Sequence, residues 1–140
     1  RIRHPLYCPP YTRTELNSHA PRKVVIAGDN DRPELLAQAC AGAQVLVHEA
    51  TYTEAMAEKA GEVGHSYGKQ VAAFAEQVTL PNLVLTHFSP RYPLISHISP
   101  SIEDIRKEAQ SVYSGTLYMA RDFGEYSLDK AGHFSELAGE

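Results

Sequence analysis

Cysteine is scarce in this chain of 140 residues. Cys8 lies in a proline-rich stretch and Cys40 in a helix-like segment, too few for a disulfide framework and without the paired spacing of a thiolate zinc site. Both read as structural or free thiols. Long apolar runs are missing too: none approaches the ~20 residues that span a bilayer. The N-terminus lacks the charged-then-apolar build of a signal peptide, so the sequence predicts a cytoplasmic protein with no membrane partner. Nor is there an excess of positive charge. A formal net charge of -4 argues against a chain that grips nucleic acid over its whole surface and leaves room only for a local basic patch. Internal repeats and low-complexity blocks are absent. What remains is the composition of one ordinary globular domain, 43% apolar and 21% charged, enough to bury a core.

Residues 1–21 carry Pro5, Pro9, Pro10 and Pro21 without an apolar period and read as a connector or arm. The first residue is Arg1 rather than methionine, so the sequence reads as a piece of a longer protein. Val24, Val25 and Ile26 then form a β-branched strand ended by the turn signal Gly28, Asp29, Asn30, Asp31. Pro33 suits the first turn of a helix containing Leu35, Leu36 and Ala39, and Gly42 stops it. Val45 to Val47 form a second strand, residues 53–61 and 67–78 two further helices, and Leu83 to Leu85 a third strand. Prolines at 90, 93 and 100 exclude regular structure until Ser101 caps a helix with Glu103 and Asp104 in its first turn. Residues 116–120 and 125–128 predict a closing hairpin, and residues 129–140 a fraying tail. Apolar strands separated by helices predict an α/β fold, a sheet with helices on at least one face.

Ionisable residues recur at the C-terminal ends of these strands: Asp29 after the first, His48 and Glu49 after the second, His87 after the third. In helix-covered sheets that edge is where ligands bind. Carboxylate and imidazole suit zinc, manganese or iron, and the implied chemistry is hydrolytic. One Asp and one His do not close a coordination sphere, so further ligands are expected from elsewhere. Each residue also has a structural reading. Asp29 in a strand-end Asp-Asn-Asp run suits a turn or cap, His48 and His87 suit packed core histidines, and His65 between Gly64 and Ser66 suits a helix cap.

The strings VVIAGDN, VLVHEATY, GHSYGKQ and LVLTHFSPRY, in this order and spacing, resemble the C-terminal half of ribonuclease Z, the tRNA 3′-processing endonuclease family of the metallo-β-lactamase superfamily. The resemblance covers residues 22–128. It implies half of an αββα sandwich, a mixed sheet with helices on one face. It implies Asp29 as an aspartate bridging two zinc ions and His87 as a ligand of one, with manganese or iron as other possible metals. Glu49 in the HEAT string would pair with His65 to deliver a proton to the leaving 3′ oxygen, because a carboxylate beside an imidazole raises its pKa toward the working pH. Ser89, Arg91 and Tyr92 match the end of the last motif. Arg91 is either a phosphate clamp or a salt-bridge partner holding its loop, with Ser89 beside it as a second candidate substrate contact.

Three departures from the family stand out. GDT is GDN here, HST is HSY, and the HxHxDH motif with a further histidine ligand is absent; His4 and His19 do not reproduce it. The resemblance therefore implies a chain that needs a missing N-terminal half, is inactive alone, and leaves one sheet face bare for dimerisation or a companion segment. The implied partners are precursor tRNA and a second copy in a homodimer. The alternatives are another hydrolase of the same fold acting on a small phosphodiester or sulfate ester, or a non-catalytic half-domain serving as a dimerisation module.

Overall fold

The computed structural model describes residues 21–94 and 97–138. The arm expected over residues 1–21, with Cys8, His4 and His19, lies outside the described residues apart from Pro21. Four parallel strands form the main sheet in sequence order: β1 (Val24–Ile26), β2 (Val45–Glu49), β3 (Asn82–Thr86) and β4 (Thr116–Met119). Each crossover contains helix. A 3-10 turn at Pro33–Leu36 runs into α1 (Ala37–Cys40), and another at Glu54–Met56 into α2 (Ala57–Glu62). They are followed by α3 (Gly68–Gln77) and α4 (Ile102–Gln110). Sequential parallel neighbours joined by right-handed crossovers carry all their helices to the same face.

The register shows which residues that face holds. Val25, Leu46, Leu83 and Leu117 lie side by side across the sheet, and Leu85 and Met119 continue the row. These residues share one core cluster with Val71, Ala72, Phe74 and Ala75 of α3 and Ile105 and Ala109 of α4. Leu46, Leu83 and Leu85 are fully buried, and each contributes about 1.5–3 kcal/mol through lost apolar exposure. Asp104 accepts from the Ser101 backbone N–H at 2.8 Å and so fixes the start of α4 as the sequence predicts. Gly42 ends α1 at φ +71, a conformation that needs glycine.

The closing hairpin is not formed as expected. Thr116–Met119 pairs in parallel with β3, because Leu117 and Met119 extend the apolar row of the core face. The hairpin instead joins β5 (Tyr126–Leu128) to β6 (Phe134–Glu136), inside the segment read as a fraying tail. Its turn is built by Asp129, whose Oδ1 accepts from the Ala131 and His133 N–H groups, and by Gly132 at φ +88. This ribbon lies on the opposite face of the sheet, where Tyr118 meets Tyr126 and Phe134 edge-on at 5.9 and 5.1 Å. That face is thus covered at β4 but open at β1, where Ile26 is 76% exposed. No helix among the described residues is long and apolar enough to cross a membrane.

Candidate active site

Parallel strands put all their C-terminal ends on one edge, so the ionisable residues that follow them converge. Glu49 is the last residue of β2 and His87 the first after β3, while Asp29 follows β1 by one turn. His65 is brought to the same edge from the loop before α3. Tyr52 and Tyr67 form an isolated parallel bridge there, with the Tyr52 N–H donating to Ser66 O and the Gly68 N–H to Tyr52 O at 3.3 and 3.1 Å. Ser66 is fully buried and ties this loop to the Asp29 loop, its hydroxyl donating to Asn30 O at 2.6 Å. Asn30 closes its own turn by accepting the Arg32 N–H on Oδ1. Gly28 takes φ +66 between β1 and Asp29.

Glu49 is the hub of the site, with a side chain only 1% exposed. Its Oε2 accepts from the Thr51 N–H at 2.9 Å and the Thr51 hydroxyl at 2.7 Å. Its Oε1 accepts from the Ser66 N–H, and His65 Nδ1 lies 3.5 Å from the same oxygen. Fixed by three donors, the carboxylate stands where it can orient the His65 ring. His65 does not cap the helix: α3 begins at Gly68 after Tyr67, which forms no side-chain cap.

His87 is not a packed core histidine, since its side chain is 54% exposed and sits at φ +55. Its ring tilts against that of His65 with centroids 5.3 Å apart, and its Nδ1 stands 3.8 Å from Asp29 Oδ1. His48 does take the packed reading. It is fully buried, and its Nδ1 lies 2.7 Å from Glu49 O. Burial pushes its pKa down, against a smaller opposing pull from the Glu49 carbonyl and charge.

Asp29, Glu49, His87 and Ser89 all line one open cavity, joined by Arg121 and Asp122 from the loop after β4. Arg91 stands beside it. Its Nε donates to Ser89 Oγ at 3.2 Å, and its guanidinium sits 5.3 Å over the Tyr52 ring. No ion pair involves Arg91 among the described residues. Thr51 and Ser66, which hold Glu49 in place, were not singled out from the sequence, although both belong to its distinctive strings.

The donor set fits a divalent metal. Asp29, His65 and His87 each offer a ligand atom, all within 4.8 Å of one another. Donors at ~2.1 Å from one tetrahedral zinc are roughly 3.4 Å apart, so small side-chain movements would close the set on an ion. Oxygen and imidazole nitrogen are zinc, manganese or iron ligands.

The chain bears a strong likeness to known proteins. Ribonuclease Z of Marinobacter nauticus is 50% identical over 117 residues, which are 81% of this chain and 36% of that protein. By sequence, the chain is similar to about a third of ribonuclease Z. No family model matches it. Human tRNase Z, short form, is similar in structure, with a TM-score of 0.52 and 34% identity over 73% of this chain and 32% of that one. A metallo-β-lactamase fold protein of Bacillus subtilis superposes with a TM-score of 0.56 at 22% identity, covering 81% of this chain and 39% of its own, which carries the fold alone. The α/β fold is therefore that of the metallo-β-lactamase proteins, in part: the chain spans about a third of the length of the ribonuclease Z sequences it matches.

Proposed function

We propose that this chain supplies one part of a zinc-dependent phosphodiesterase site that removes 3′ trailers from tRNA precursors. The observation that carries the reading is the convergence of Asp29, His65 and His87 on one strand edge, with Glu49 buried behind His65. Asp29 and His87 would hold the metal, zinc first among zinc, manganese and iron, and the chemistry supplied there would be an activated water for attack on phosphorus. This chain's own residues handle the leaving group. Glu49 orients His65, and that imidazole carries the proton given to the departing 3′ oxygen. Arg91, steadied by Tyr52 and Ser89, contacts a substrate phosphate through its free guanidinium nitrogens.

Two protein donors do not complete two zinc sites. The remaining ligands come from the part of the relatives that this chain does not span, and the open face around Ile26 is where that part, or a second copy in a homodimer, packs. The experiment is cleavage of a precursor tRNA bearing a 3′ trailer by the full-length protein in zinc or manganese. Cleavage after the discriminator nucleotide is expected. An intact precursor alongside hydrolysis of a small phosphodiester or sulfate ester would move the assignment to another hydrolase of this fold. An intact precursor with no zinc bound would leave a half-domain that only dimerises.

A further inference from the structure

Thr51 has one hydroxyl proton and three close neighbours. Its Oγ1 lies 2.7 Å from Glu49 Oε2, 2.9 Å from His87 Nδ1 and 3.0 Å from His87 O. The carboxylate and the carbonyl can only accept, and the carboxylate is both the nearest neighbour and the charged one, so it takes the hydroxyl proton. The ring nitrogen must then be the donor. The next group near Nδ1, the Asp29 carboxylate oxygen at 3.8 Å, is an acceptor as well. We infer that Thr51 is a positioning residue, fixing His87 as the tautomer with Nδ1 protonated and Nε2 bare.

The backbone makes the same point independently. His87 sits at φ +55, which costs a non-glycine residue about 1–3 kcal/mol and persists only when its surroundings impose it. The Ala50 N–H donates to Thr86 O at 2.9 Å just before it, and the Ser89 N–H to Thr51 O at 3.1 Å just after it. Thr51 therefore clamps both the ring and the main chain of His87 to the end of β2. A chain of bonds runs His87 to Thr51 to Glu49 to Ser66, so the residue meant to bind metal and the pair meant to move the proton are aligned through one hydroxyl. A metal-binding imidazole has its tautomer set by what its other nitrogen donates to, and loss of such a partner weakens metal affinity about 10–100-fold. This role rests on the metal reading only for its purpose. The tautomer itself does not depend on it.

Two measurements on the full-length protein test it. The first is the long-range proton–nitrogen correlation spectrum of His87 near pH 8, where a protonated Nδ1 and a bare Nε2 are expected. Thr51→Val should give averaged nitrogen shifts, and Thr51→Ser should restore the original pair. The second is competition with a zinc chelator, in which Thr51→Val binds about 10–100-fold more weakly and Thr51→Ser recovers. A wild-type spectrum with Nε2 protonated, or one unchanged by Thr51→Val in a folded chain, overturns the inference. Should the wild-type tautomer be set as expected while no zinc binds, the positioning role stands and the metal reading falls.

Discussion

Asp29 Oδ1 and His87 Nδ1 lie 3.8 Å apart although one residue follows β1 and the other β3. Both side chains are more than half exposed, at 63% and 54%, and neither is part of the core cluster. Removing either should therefore leave the fold almost intact, within about 0.5 kcal/mol, while removing a proposed metal ligand. Asp29→Asn and His87→Asn are the suitable changes, because asparagine tolerates the left-handed backbone at position 87. Zinc affinity is expected to fall by more than the roughly 100-fold that loss of an outer hydrogen bond produces. Unchanged affinity in either variant, measured by chelator competition, would remove that residue from the site.

Glu49 and His65 should fail in different ways. Glu49→Gln replaces an acceptor by an NH2 group that must face Ser66 N–H or the Thr51 donors, and a buried donor facing a donor costs about 1–3 kcal/mol. Its midpoint in urea should drop along with turnover. His65→Ala loses no close side-chain bond, so stability should hold while turnover on precursor tRNA by the full-length protein falls about 100- to 10,000-fold with metal content unchanged. Equal loss of zinc would instead make His65 a third ligand, a role its position beside Asp29 and His87 also permits.

The sequence displayed the strands, helices and strand-end residues because these depend on local periodicity and on turns such as Gly28-Asp29-Asn30. The distinctive strings then directed attention to Glu49 and His65, which the structure places beside each other. Two features were hidden. Residues Thr116–Met119 and Tyr126–Leu128 are close in sequence and look like hairpin arms, yet pairing β4 with β3 depends on burial of Leu117 and Met119 against a distant helix layer. The true turn, Asp129 to His133, had a readable signal in Asp129 and Gly132 that the polar character of its surroundings masked. The second hidden feature is Thr51, whose bonds reach a residue after a different strand.

Gly68 opens α3 directly beneath α4. A Cβ placed there would fall 2.5 Å from Ile105 Cγ2 and 3.7 Å from Leu85 Cδ1. Alanine gains about 1 kcal/mol of helix propensity over glycine, but Ile105 is fully buried and β-branched, so it cannot swing aside. Overpacking at about 1–3 kcal/mol should win. Gly68→Ala is thus expected to be destabilising by up to about 2 kcal/mol in urea denaturation, and a stabilised variant would mean that α3 and α4 can separate. Because Ser66 precedes this helix, weaker zinc binding should accompany the loss.

His48 gives the domain a pH dependence of known sign. Burial holds its folded pKa below the ordinary value near 6.5, so in that range the unfolded chain binds the extra proton and stability rises with pH. The contribution is complete above about pH 6.5, shrinks as pH falls toward the folded value, and is constant below it. Glu49 is the charge nearest the ring and opposes the effect without reversing it. His48→Asn removes the titration while offering an amide N–H in place of Nδ1–H for the Glu49 carbonyl. The difference in stability between wild type and this variant, followed by urea denaturation from pH 8 to pH 5, should change in the variant's favour below pH 6.5. A difference that stays flat over this range would mean that the imidazole is protonated in the folded chain and that its unpaired Nε2 has found a partner.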